Sequence, residues 1–121
     1  MKETGLKEEK QKEIAELLNG RIVGCQDNNE ELTNAFSSDL MSDVLRLGGE
    51  CSLLITGLCN IQTVRTAEMA MINTIILARG KKADEEMVEH AVDNDITIIE
   101  TEYSIFKTSG ILYTHGIKPM Y

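Results

Sequence analysis

Seven residues carry most of the chemistry this sequence offers: Thr56, Gly57, Asn60, Arg79, Gly80, Lys81 and Thr101. The backbone amides at the start of the helix after Asn60, with the charge of Arg79 or Lys81, offer what an anion needs, namely hydrogen-bond donors and positive charge. The ligand class they imply is a nucleotide or another phosphate-bearing small molecule. Neither a Walker loop nor a GxGxxG fingerprint accompanies them. His90 falls inside an expected helix and His115 near a helix stop, so neither is linked to a nucleophile, and no catalytic residue is assigned. Asp39 and Asp43 share one helix face, but two carboxylates without a third ligand do not make a metal site. Ser38 or Asp39 instead reads as a helix cap and Asp43 as a solvated acid. No metal or cofactor is expected.

Cys25, Cys51 and Cys59 lack CxxC spacing, and their odd number fits reduced thiols in a reducing compartment. Cys25 and Cys51 read as small buried apolar residues. Cys59 follows a strand and precedes a helix N-terminus, and is the thiol expected to have a depressed pKa.

The elements that must position these residues are legible around them. Leu53-Leu54-Ile55 reads as a strand ending at Thr56-Gly57. Asn60 then caps a helix carrying Val64, Ala67 and Ala70, and Thr74-Ile75-Ile76-Leu77 is a second apolar strand. Two strands joined by a crossover helix make a right-handed βαβ unit with parallel strands. After the cationic turn Arg79-Gly80-Lys81-Lys82, Asp84-Glu85-Glu86 opens a helix with Met87, Val88 and Ala91 on its apolar face. Asn94-Asp95 turns the chain into the strand Ile96-Thr97-Ile98-Ile99. In a parallel sheet the strand C-termini share one edge, so Thr56, Arg79 and Thr101 are expected on one rim.

Toward the ends the pattern is plainer. A helix is expected over Leu6 to Leu18, with Ile14, Leu17 and Leu18 as its packing edge and Gly20 as its stop. The strand Arg21 to Cys25 and a polar loop over Gln26 to Glu30 follow. A short helix over Leu40 to Leu47 ends at Gly48-Gly49. A last helix carries Ile105, Phe106, Leu112 and Tyr113 around Gly110 and stops at Gly116, leaving Lys118 to Tyr121 as coil. A glycine inside a helix costs about 1 kcal/mol relative to alanine, so Gly110 marks either a close contact with another helix or subunit, or a break. The expectation is one α/β domain over residues 1–121, with a mostly parallel sheet of about four strands flanked by helices.

Bulk properties agree. The 121 residues suit one domain, and with aromatics at only 4% the core must be aliphatic, which favours a sheet covered by helices over a sandwich. A net charge of −8 opposes nucleic-acid binding. The charged first residues contain no secretory core, and no apolar run approaches the roughly 20 residues that cross a bilayer, so a cytoplasmic protein off the membrane is expected.

The segments LLITGLCNIQTVRTAEM, INTIILARGKKADEEMVEHA and ITIIETEYSIFKTSGILY, with SSDLMSDVL upstream and an opening that ends in Gly20-Arg21-Ile22-Val23, together resemble a DRTGG domain. The resemblance spans nearly the whole chain. It implies a regulatory or protein-interaction module without catalytic activity of its own, one that tends to dimerise. Such domains occur beside nucleotide-sensing CBS domains in some pyrophosphatases and within phosphotransacetylases, and are similar to the N-terminal domain of HPr kinase. Stand-alone forms occur beside iron-hydrogenase components, so an accessory protein of a hydrogenase or iron-sulfur system is a further alternative, as is a nucleotide or anion sensor. Cys59-Asn60 stands where the family has Asp-Arg, and Ala78-Arg79-Gly80 where it has Thr-Gly-Gly, leaving only the last glycine in common.

Overall fold

Leu53–Thr56, Thr74–Leu77 and Thr97–Glu100 bury every residue, the pattern of strands covered on both faces. They form the centre of the sheet in a computed structural model that describes residues 11–24, 32–47 and 49–121. In chain order the strands are β1 (Arg21–Gly24), β2 (Asn34–Ser37), β3 (Leu53–Thr56), β4 (Thr74–Leu77), β5 (Thr97–Glu100) and β6 (Lys118–Pro119). The helices are α1 (residues 11–17 of the described chain), α2 (Met41–Leu45), α3 (Ile61–Met69), α4 (Glu85–Asp93) and α5 (Ile105–Thr114). The sheet order is β1-β5-β4-β3-β2-β6, parallel throughout except for β1, which runs antiparallel to β5.

The α/β, mostly parallel architecture is therefore the expected one, with six strands where about four were expected. β2 was missed because Asn34-Ala35-Phe36-Ser37 has too little apolar patterning to announce a strand; its parallel register with β3, Ala35 opposite Leu53, makes it one. β6, expected to be coil, is held on β2 by the amides of Lys118 and Met120, which donate to Thr33 O and Ala35 O.

Alternate residues of each strand feed two cores. Leu54, Ile75, Leu77 and Ile98 pack under α2, α3 and α4. Leu53, Ile55, Ile76 and Ile99 pack under α1 and α5 with Leu18 and Leu112. On this second side the buried Gln11 of α1 donates its amide to the hydroxyls of Thr74 and Thr97, tying α1 to β4 and β5.

Four of the five helices, α1, α3, α4 and α5, are followed by a residue with positive φ. Asn19, Met71 and Asp95 take the left-handed conformation after α1, α3 and α4, and the next amide in each case reaches five residues back, as Gly20 N does to Ala15 O at 2.7 Å. Gly20 was the expected stop; Asn19 performs it, because an asparagine also tolerates that conformation. Gly20 is instead pressed against β5, where a Cβ would lie 2.7 Å from Glu100 O.

The expected Leu40 to Leu47 helix shrinks to α2. Its cap residue is Leu40, whose side chain caps nothing, while Ser38 Oγ accepts from Leu40 N in the turn before it. In α5 the expected apolar face is also corrected: Leu112 and Thr108 point inward, whereas Phe106 is 90% and Tyr113 70% exposed. The early turns of the first helix, the loop Gln26 to Glu30, Cys25 and Gly48 lie outside the described residues.

Candidate functional site

The parallel strands end together as their registers require. Ala78 N donates to Thr56 O at 2.9 Å and Thr101 N to Leu77 O at 2.9 Å. Beyond the strands, Arg79 N reaches Tyr103 O at 2.8 Å and Gly80 N reaches Thr101 O at 2.9 Å. These bonds bring Thr56, Arg79 and Thr101 onto one rim. Arg79 and Gly80 both have positive φ, 65° and 74°, and Lys81 N closes the turn onto Ala78 O at 3.4 Å. Three of the four described non-glycine residues in this conformation end helices; Arg79 instead follows a strand. A non-glycine residue there carries a steric cost of about 1–2 kcal/mol.

The Arg79 side chain folds back across the rim. A Cβ on Gly57 would meet its guanidinium at 2.5 Å, so the glycine is what leaves room for it. Arg79 Nη2 donates to Gly57 O at 3.4 Å and lies 3.9 Å from Asp39 Oδ2. Both charged side chains are about half exposed. Asp39, expected to be a helix cap or one member of an acidic pair, reaches across from the end of β2 to β3. Its Oδ1 accepts from the Thr56 hydroxyl at 2.8 Å and from Gly57 N at 2.8 Å. The Gly57 amide, with help from Thr56 and Arg79, outweighs the opposing effect of partial burial and holds the carboxyl below its usual range. Thr56 Oγ1 in turn accepts from Leu58 N at 3.1 Å. The amides of Gly57 and Leu58 thus already face protein oxygens, and the carboxylate of Asp39 occupies the first of them.

The seven sequence-derived residues therefore divide. Thr56, Gly57 and Arg79 converge, joined by Asp39. Gly80, Lys81 and Thr101 line a separate hollow of about 140 Å³ on the β1 side, with Arg21, Glu100 and Glu102. Asn60 caps α3 through Thr63 N at 3.3 Å. The Thr101 hydroxyl is committed to Leu18 O at 2.7 Å. Asp39 was missed as a rim residue because its role depends on β2 lying beside β3, and no local pattern reveals that.

The thiol expectation is overturned. Cys59 Sγ lies 3.1 Å from Lys82 O, and burial first, then the carboxylates of Asp84 and Glu100, push its pKa up despite Lys81. Cys51 is buried and its pKa is likewise raised, chiefly by burial. His90 Nε2 lies 2.8 Å from Glu68 Oε1 on the outer surface of α3 and α4. Among the described residues no three His, Cys, Asp or Glu side chains gather as a metal site, and no helix is long and apolar enough to cross a membrane.

Fold and rim together define a three-layer α/β protein with a mostly parallel sheet and a polar, arginine-bearing edge at its strand C-termini. A solved structure shares this fold: the CBS and DRTGG domains of the regulatory region of a Clostridium perfringens pyrophosphatase, complexed with the activator diadenosine tetraphosphate. It matches with a TM-score of 0.68 at 17% sequence identity over 82% of this chain. The match covers 44% of the solved chain, so this chain corresponds to less than half of that region. At this identity the likeness is one of fold. No family model matches the sequence, and no curated protein does.

Proposed function

We propose that this protein is a non-catalytic regulatory domain of the DRTGG kind that senses an anionic small ligand, a nucleotide or another phosphate-bearing molecule, at the strand C-terminal rim. The observation that carries this is Arg79, a half-exposed guanidinium kept at a topological edge in a backbone conformation that costs free energy. Its neighbour Asp39 already occupies the Gly57 amide, so the ligand is met by the open side of the guanidinium, and Asp39 holds that group in place until it arrives. The shared fold supports the reading, since the pyrophosphatase region of that fold was solved with a nucleotide activator.

Residues 1–121 act in this reading as one cytoplasmic domain that works as a homodimer. An accessory role beside an iron hydrogenase, which the sequence resemblance also implies, would have to rest on protein docking, because the Cys59 thiol is made less acidic by its surroundings.

Calorimetry and thermal shift with adenine and guanine nucleotides, diadenosine tetraphosphate and inorganic phosphate test the proposal. Binding should be detected for at least one of them and weakened about tenfold or more in Arg79→Ala, the loss expected for one charge-assisted contact. Absence of both heat and thermal shift across the panel would refute it.

A further inference from the structure

α5 packs one face inward; on the other, Ser109 Oγ lies 2.9 Å from Ser37 Oγ, while Phe106 and Tyr113 stand exposed. Thr108 and Leu112 pack inward. Phe106, Ser109, Gly110 and Tyr113, spaced i, i+3, i+4 and i+7, form a stripe that borders a groove of about 460 Å³ floored by Ala35 and Ile55. α1 reaches β4 and β5 and α5 lies over β3, so among the described residues no helix covers the β2–β6 end of this sheet face. Tyr121, 86% exposed, closes the far side and meets Phe36 edge to face at 6.2 Å.

We propose that this face binds a second copy of the chain through an isologous α5-to-α5 contact, which locates the homodimer of the regulatory reading and rests on it. Area is the first argument. Phe106, Tyr113 and Tyr121 are 90%, 70% and 86% exposed. At roughly 200 Å² per aromatic side chain they present about 500 Å² between them, against the roughly 800 Å² per partner of a stable interface, before the groove floor is counted.

Charge is the second. The protein carries 20 acidic residues and a net −8, so most surfaces of two copies repel one another. The groove is lined by no Asp or Glu, and Lys118 is its one charged lining residue. Two copies can meet there without bringing acidic side chains together.

Shape is the third. Gly110 has nothing within 4 Å of where a Cβ would stand, so no contact among the described residues explains a glycine in the middle of a helix. Between Phe106 and Tyr113 it makes a notch between two knobs. A twofold axis near Gly110 lets two helix backbones approach while Phe106 of each copy enters the groove of the other. Strand addition at the β6 edge, beside this groove, is disfavoured as a route. The amides of Lys118 and Met120 face β2, and the residue between them, whose amide would face outward, is Pro119.

Sedimentation velocity on the full chain at micromolar concentration tests this, with Phe106→Asp and Gly110→Ala alongside. Phe106 is nearly fully exposed, so its replacement should leave the circular dichroism unchanged. The wild type should be a dimer, and Phe106→Asp should raise the dimer dissociation constant about 30-fold or more. Gly110→Ala should also weaken the dimer, yet in the Phe106→Asp background it should raise the melting temperature of the monomer by about 2–5 °C through helix propensity. A wild-type monomer overturns both the dimer and its surface. A Phe106→Asp protein that dimerises as tightly as wild type overturns the surface and leaves the dimer. A wild-type monomer whose groove binds an apolar dye, with that binding lost in Phe106→Asp, assigns the face to a small apolar ligand and overturns the proposal as well. Nucleotide binding at Arg79 is read separately by calorimetry in the same variants.

Discussion

Removing the Asp39 carboxylate should loosen the rim without unfolding the protein. In Asp39→Ala the Thr56 hydroxyl and the Gly57 amide both lose their acceptor. Hydrogen bonds to a charged partner are worth about 1.5–3 kcal/mol each when sheltered. The Asp39 side chain is 46% exposed, water can replace part of what is lost, and the two bonds share one oxygen, so the sum is reduced to about 1–2 kcal/mol. The 3.9 Å ion pair with Arg79 adds at most about 0.5 kcal/mol. For a chain of this size the melting temperature should fall by about 3–8 °C at neutral pH. Asp39→Asn keeps an oxygen for both donors and should cost less than half as much. The pH dependence has a definite sign. The folded-state pKa lies below the ordinary value of 3.8, so the ionised carboxylate's contribution is fully present above that value and is lost as pH falls through the folded pKa. Urea denaturation of wild type and Asp39→Asn from pH 7 to pH 3 measures it. The stability gap should be constant down to about pH 5 and shrink below pH 4. A gap that stays constant to pH 3, or an Asp39→Ala variant within about 0.3 kcal/mol of wild type at pH 7, would show that the carboxylate does not hold the rim.

Two further outcomes follow from groups away from the rim. Thr108 Oγ1 is a buried hydroxyl with no hydrogen-bond partner among the described residues, so Thr108→Val, which keeps the shape and removes the polar atom, should stabilise the protein by about 1 kcal/mol in chemical denaturation; destabilisation would mean that the hydroxyl is satisfied in solution. Cys59, its thiol pKa raised by burial and by Asp84 and Glu100, should react with a thiol-specific reagent at pH 7 several-fold more slowly than an unstructured cysteine peptide, with Cys51 slower still; a faster Cys59 would contradict the environment described.

What could be read without coordinates, and what could not, follows from the range of the interactions involved. β3, α3, β4, α4 and β5 were legible because each announces itself locally. Leu53-Leu54-Ile55 and Thr74 to Leu77 are unbroken apolar runs, and Asn60 and Asp84 cap the helices they were expected to cap, through Thr63 N and Met87 N. Parallel strands then required a common rim, and the backbone bonds around Thr56, Arg79 and Thr101 form one. The sequence by itself therefore determined the α/β class, the crossover units and the edge that carries the polar residues.

Only the tertiary structure decided what those residues do there. β2 exists because β3 lends it a partner, and from the end of β2 Asp39 reaches Gly57, 18 positions along the chain. The same packing separates Lys81 from Arg79, turns the Cys59 thiol away from reactivity, and faces Phe106 and Tyr113 outward although their types suit a core. Capping and strand formation act over three or four residues and leave a trace in composition. A carboxylate's choice of partner, or which side of a helix is covered, depends on segments that meet only after the chain has folded, and nothing local records it.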